Sequence, residues 1–194
     1  MTTIYHEYAP IEYNVKQLLY GEDKAGLPTP LHSRNRIHSI IQLLPQHTYT
    51  LIDFGCGQGD FIQCVIDHPS LHTIVGVEMN EKHANYCKTR FKANSSVSIF
   101  HKNMLDYVFP TTPLILYMYE PLWCMNHQDA ISVYRTVLDR FPTHPNNYIL
   151  YISGVSPILD SSFFKEINFE ILHHSRITRG LGWYGNHIYV LQKR

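Results

Sequence analysis

Cysteine, net charge and long apolar runs are all scarce in this chain of 194 residues. Its four cysteines, Cys56, Cys64, Cys87 and Cys124, include no C-x-x-C pair. A disulfide framework or thiolate zinc site is therefore not expected, and a reducing cytoplasm is the expected home. Lys plus Arg number 16 and Asp plus Glu number 16. No global field then draws the chain toward nucleic acid or an anionic bilayer, and nucleic acid is not the expected partner. No apolar stretch approaches the ~20 residues that cross a bilayer. The start, MTTIYHEYAPIEYN, lacks the charged and apolar regions of a signal peptide, so no membrane contact is expected. Histidine is the exception, with 13 copies. None falls in an H-E-x-x-H spacing, His32 and His38 are six apart, and adjacent His173 and His174 would point to opposite faces of a strand. No metal site is expected.

What is present reads as an ordinary globular protein, 44% apolar and 16% charged. One domain over residues 1–194 is the expected organisation, with an arm and helix over 1–45 and a Rossmann-like core over 46–194. The arm is rich in tyrosine and carries Pro10, Pro28 and Pro30. Thr29-Pro30 is a helix start, a capping hydroxyl followed by proline at the first helical position. Ile37, Ile40, Ile41 and Leu44 keep helical spacing until Pro45.

Beyond Pro45 the pattern alternates. Strands are expected at 50–54, 73–78, 96–100, 114–119 and 148–153. Helices are expected at 59–67, after an Asn80 cap with Ala84, Cys87 and Phe91 on one side, and at 127–141 with Ile131, Tyr134, Leu138 and Phe141 on one stripe. Two last strands, 167–174 and 187–193, have no helix between them and should pair antiparallel. The whole predicts an α/β fold, a doubly wound, open and mostly parallel sheet.

The first strand runs into LIDFGCGQGDF, with glycines at 55, 57 and 59. Such a loop lets a ligand approach the backbone, and the helix that follows offers free N–H groups. Glu78 ends the second strand at the distance where a carboxylate reaches ribose hydroxyls. An adenosine-type ligand follows. A dinucleotide fingerprint needs glycine at position 60, where this chain has Asp60, and no G-K-[ST] completes a phosphate cradle. Asp53 adds a second acid, and no Lys or Arg lies nearby in sequence. Lys88, Arg90 and Lys92 read as a solvated helix flank. The loop suits a cationic ligand over a pyrophosphate.

Asp53-Phe-Gly55-Cys-Gly57-Gln-Gly59 followed by Val75-Gly-Val-Glu78 resembles motif I and its successor in class I S-adenosylmethionine-dependent methyltransferases. The resemblance covers residues 29 to the end and is nearest to bacterial members of that family. It implies the sheet order 3-2-1-4-5-7-6 with strand 7 antiparallel, S-adenosyl-L-methionine as cofactor, and roles at matching positions. Asp53 and the backbone of Gly55, Cys56, Gly57 and Gly59 would hold the methionyl end, Glu78 the ribose, and Met79 the adenine face. HKNMLDY resembles the acidic loop after strand three. Asn103 stands where an Asp usually takes the adenine amino group, and the Met104 N–H would meet the ring nitrogen. Thr29-Pro30 resembles an element that closes over the methionine end in some protein-lysine methyltransferases.

Tyr119-Glu120-Pro-Leu-Trp occupies the position of the family's motif IV, where nucleic-acid amino methylases carry N/D-P-P-Y/F/W. It is closer to an aromatic-Asn-Pro-Phe variant of bacterial members, with Glu120 for Asn. Tyr119 is expected at the cofactor, and Glu120 is the candidate catalytic base, with helix capping as its structural alternative. Tyr117 and Tyr119 share a strand face and suit either core or pocket wall. Arg176, Arg179, Trp183 and Tyr184 form a basic-aromatic connection between the last strands. The expected function is methyl transfer to N or O of a small molecule or protein. A protein-lysine acceptor and a non-enzymatic cofactor- or partner-binding protein are the alternatives.

Overall fold

The computed structural model describes residues 40–42, 44–45, 48–119, 121–122, 125–153, 158–177 and 186–194. Most of the expected arm, with Thr29, and also Glu120, Trp123, Arg179, Trp183 and Tyr184 lie outside them.

Seven strands form one sheet: β1 (Tyr49–Phe54), β2 (Leu71–Glu78), β3 (Val97–His101), β4 (Leu114–Tyr119), β5 (Tyr148–Ser153), β6 (Phe169–Ile177) and β7 (Asn186–Lys193). Their order is β3-β2-β1-β4-β5-β7-β6. Pairing is parallel from β3 through β5, and β7 runs antiparallel to both β5 and β6. The expected topology is borne out strand for strand. The helices are α1 (Asp60–Val65), α2 (Glu81–Arg90), α3 (His127–Asp139) and α4 (Ser161–Glu166).

The central strands are continuous apolar runs because helices cover both faces. Leu51, Ile115, Tyr117 and Leu150 pack with Phe61, Ile62, Cys87 and Phe91 on the α1–α2 side. Ile52, Met118, Tyr151 and Tyr189 pack with Ala130, Tyr134, Leu138 and Phe164 on the α3–α4 side. Ile40 and Ile41 are helical and buried on the first side. Side-chain caps start three helices. Asn80 accepts the His83 N–H at 3.2 Å, Asn126 that of Asp129 at 3.0 Å, and Asp160 those of Ser162 and Phe163.

Three local readings change. The helix expected at 59–67 is shorter, since Gly59 is its left-handed N-cap and Ile66 its C-cap. α4 was not expected, since its six residues, capped by Asp160, are too few for a helical stripe. β6 begins at Phe169, after a turn at Asn168 with φ 65°. Its pairing shifts between Ile171 and His173, and His174 stacks on Tyr189 at 4.3 Å.

Candidate functional site

The loop after β1 needs its glycines for two different reasons. Gly55, Gly57 and Gly59 have φ of 75°, 54° and 81°, a left-handed region that a Cβ penalises. A Cβ on Gly55 would stand 2.6 Å from Pro121 Cβ, so the segment after β4 lies directly against this turn. A Cβ on Gly59 would stand 2.4 Å from Phe91 Cε2 and 2.7 Å from Cys87 Sγ, so that glycine seats the loop on α2. The Gly55 N–H donates to Val77 O at 2.8 Å, closing the turn onto β2. Cys56 points its side chain down into the core, 7% exposed. Its hydrogen bond to Cys87, then burial, then the Asp53 charge push its thiol up. Any part Cys56 takes in a site is through its backbone.

Two carboxylates flank the loop. Asp53 is the penultimate residue of β1, opposite Gly76 on β2 and Tyr117 on β4. It is 3% exposed, and its Oδ2 is buried with no hydrogen-bond partner among the described residues. Burial, and then the neighbouring Glu78 carboxylate, hold Asp53 well above the ordinary carboxylate range. Such an orphaned oxygen is costly unless a donor reaches it. Glu78 is half-buried and held in place by backbone donors. Gly57 N–H lies 2.9 Å from its Oε2 and Asn80 N–H 2.8 Å from its Oε1. Each oxygen keeps accepting capacity.

Asp60 does not play the part expected of it. Its Oδ1 is 2.8 Å from Arg90 Nη1, and the same nitrogen donates to Gln58 O at 2.9 Å. The expectation of no cation near the loop is therefore corrected: Arg90 comes from the end of α2 and is not part of an idle solvated flank. Sequence distance hid it. The acids flanking the turn that pair with no cation among the described residues are Asp53 and Glu78.

The third segment follows β3. Met79 is 69% exposed beyond β2, and its carbonyl lies 3.0 Å from His101 Nε2. Met104–Asp106 form a single 3-10 turn. Asn103 caps it, its Oδ1 accepting the Leu105 N–H at 2.9 Å, which uses one lone pair of the oxygen expected to meet an adenine. The first N–H of such a turn, that of Met104, has no partner within it. Beneath the turn, Tyr107 packs edge-on to Phe54 at 5.5 Å. From outside, Arg140 donates to Leu105 O and Tyr107 O.

At the end of β4, Tyr117 is 1% exposed and stacked on Phe61 at 3.5 Å, so it is core, and the pocket-wall alternative falls. Tyr119 is half-buried at the strand end. The structure thus brings Asp53, the glycine turn, Glu78, Met79, Asn103, Met104 and Tyr119 to the carboxyl ends of β1, β2, β3 and β4, one edge of the sheet. Such an edge is where open α/β sheets bind ligands. Among the described residues no group of three or more His, Cys, Asp or Glu could hold a metal ion. Among them, too, no helix is long and apolar enough to cross a membrane.

Solved structures share this architecture. An S-adenosylmethionine-dependent methyltransferase of Leishmania major matches with a TM-score of 0.66 and 16% identity, over 97% of this chain and 83% of that one. One from Thiobacillus denitrificans, in complex with S-adenosyl-L-homocysteine, matches with a TM-score of 0.64 and 11% identity, over 94% and 98%. The fold is that of the S-adenosylmethionine-dependent methyltransferases. Among proteins with this methyltransferase fold, the 23S rRNA methyltransferase ErmE also matches, with a TM-score of 0.60 and 13% identity over 87% and 70%. In sequence, a segment of 61 residues is 35% identical to a small RNA 2'-O-methyltransferase of Arabidopsis thaliana. That segment is 31% of this chain and spans 6% of the plant protein. No protein-family model matches the chain.

Proposed function

We propose that this protein is an S-adenosylmethionine-dependent methyltransferase acting on a nitrogen or oxygen of its acceptor. One observation carries the reading: Asp53 Oδ2 is buried beside a glycine turn with no partner among the described residues. A cationic amino-acid nucleoside satisfies that oxygen and favours its ionised form, whereas a pyrophosphate brings it no donor and meets the Glu78 carboxylate. The residues therefore fit the cofactor that the fold implies. When bound, it supplies a methyl group on an electron-poor sulfur.

The chain's own residues do the rest. Asp53 receives the ammonium, and the N–H groups of the glycine turn meet the carboxylate of the same ligand. Glu78, pre-set by Gly57 and Asn80, accepts from the ribose hydroxyls without rearranging. Met79 covers one face of the adenine, while Asn103 and the Met104 N–H read its edge. Tyr119 borders the sulfur end, and Thr29 would close over it. Glu120, between Tyr119 and Pro121, is proposed to take the proton that an amine or hydroxyl acceptor must lose. The chain is proposed to act as one domain, in the cytoplasm.

The acceptor class is a small molecule or a protein, including a protein lysine, on the sequence reading. A second acceptor, RNA, is favoured by the match to the plant small RNA 2'-O-methyltransferase. The balanced overall charge does not argue against a local RNA contact. Isothermal calorimetry with S-adenosylhomocysteine, NADH and ATP tests the cofactor. Only the first is expected to bind, and Glu78→Ala should weaken it at least about tenfold, the order for losing one or two charged hydrogen bonds. Undiminished affinity in that variant refutes the assignment. Cell extract supplied with methyl-labelled cofactor then separates acceptors, according to whether label enters protein, RNA or small solutes. Wild-type turnover in Glu120→Gln on the acceptor so found would eliminate the base role.

A further inference from the structure

Arg140 sits at the C-terminal end of α3, far in sequence from every segment of the site, yet it reaches the loop after β3. Its Nη1 donates to Leu105 O and its Nη2 to Tyr107 O. These are the carbonyls at the end of the 3-10 turn that Asn103 caps and Met104 begins. Terminal carbonyls of such a turn have no partner within it. The planar guanidinium matches two parallel acceptors in a way an ammonium does not.

A second cation explains why the guanidinium is free to do this. Lys193, at the end of β7, places its Nζ 2.7 Å from Asp139 O and 3.0 Å from Phe141 O, with Leu138 O at 3.3 Å. These carbonyls carry the partial negative charge of α3's terminus. With Lys193 on the helix's own carbonyls, Arg140 turns outward to those of the neighbouring loop. Inside the loop, Asp106 N–H donates to Asn103 O at 3.0 Å and Tyr107 N–H to Met104 O at 3.3 Å. Tyr107 anchors the underside against Phe54. A single-turn segment with half-exposed ends has little stability of its own, so an external clamp decides its height and tilt.

We propose that Arg140 is the positioning residue for the adenine end of the cofactor pocket, its guanidinium holding Leu105 O and Tyr107 O so that Asn103 and the Met104 N–H face the ring. The inference rests on the cofactor reading given above. Misplacing a recognition group by even a fraction of an ångström weakens its hydrogen bonds steeply. Loss of the clamp therefore affects ligands that contain adenine and spares those that lack it. A residue that merely supports the fold makes no such distinction.

Binding is measured by calorimetry for the full chain with three probes: S-adenosylhomocysteine, 5'-methylthioadenosine, which has no amino-acid end, and S-ribosylhomocysteine, which has no adenine. In Arg140→Ala the first two are expected to bind about tenfold more weakly, as for one displaced hydrogen-bonding contact, with the third unchanged. Arg140→Lys keeps the charge at the end of α3 but engages one carbonyl at a time, and should fall between. It is the variant to read if Arg140→Ala loses its cooperative thermal transition. An equal loss for all three probes, or none for any, overturns the inference. Failure of the wild type to bind S-adenosylhomocysteine overturns the cofactor reading and this inference with it. Wild-type binding with an unaltered Arg140→Ala overturns this inference alone.

Discussion

Arg90 and Asp60 are joined by a 2.8 Å ion pair that ties the last turn of α2 to the first turn of α1, and the guanidinium also holds the carbonyl of Gln58. The pair is partly exposed, its side chains retaining 27% and 47% of their accessibility, so solvent screening keeps its own worth small. What it fixes is the exit of the glycine turn. Arg90→Ala is expected to lower stability by only about 0.5–1.5 kcal/mol. S-adenosylhomocysteine affinity should fall by more than that change in stability would suggest. Paired urea melts and calorimetry make the comparison, and unchanged affinity would remove the clamp from the account.

The raised pKa of Asp53 has a sign that can be tested. Its folded value lies above its unfolded one, so its contribution to stability is fully present below the unfolded value of about 4 and is lost as pH rises through the folded value. Asp53→Asn removes that loss. The ligand-free variant is expected to gain in melting temperature over the wild type, more at pH 8 than at pH 5, while binding S-adenosylhomocysteine far more weakly. On the proposed reading, an ammonium at the buried acid favours its ionised form, and binding is expected to release a proton. Observed binding enthalpies should then differ between phosphate and Tris buffers, and an identical enthalpy in both would contradict this.

Gly59 separates packing from ligand contact. A methyl group there meets Phe91 and Cys87 and must also hold a φ of 81°. Gly59→Ala should destabilise by about 2–4 kcal/mol, the sum of a left-handed penalty and overpacking. Adding Phe91→Leu should recover part of it, a coupling that urea denaturation of the double variant reads directly.

Tyr117 is the control for the pocket. Stacked on Phe61 and closed to solvent, it should matter to the core alone. Tyr117→Leu is expected to cost about 1–3 kcal/mol in urea melts. Its affinity for S-adenosylhomocysteine should equal that of the wild type, and a loss there would return Tyr117 to the pocket wall.

Most of the architecture was legible because it rests on periodicity. Strands such as LILYMY and YILYIS are short apolar runs between turn signals, and Asn80 announced α2. The crossover logic of parallel strands then left few ways to order the sheet. Asp53, Glu78 and the three glycines were legible because backbone conformation and residue type coincide there. The partner of Asp60 was not legible, because a charge that is alone in sequence need not be alone in space: Arg90 arrives a full βα unit later. Arg140 left no local signal at all. A cation after a helix is ordinary, and only the fold shows which carbonyls it meets. α4 was missed because a helix of six residues has no periodicity to read, and its Asp160 cap shows only in the structure.

Pro121 presses on the backbone of Gly55 closely enough that not even a methyl group fits between them. The proposed donor pocket and the segment that begins at Pro121 therefore meet at the Gly55 turn. On the proposed reading, altering that segment to broaden the range of acceptors is expected to reshape the methionine seat as well. Variants selected for a new acceptor should carry a donor-affinity defect, correctable by changes on the Gly55 side.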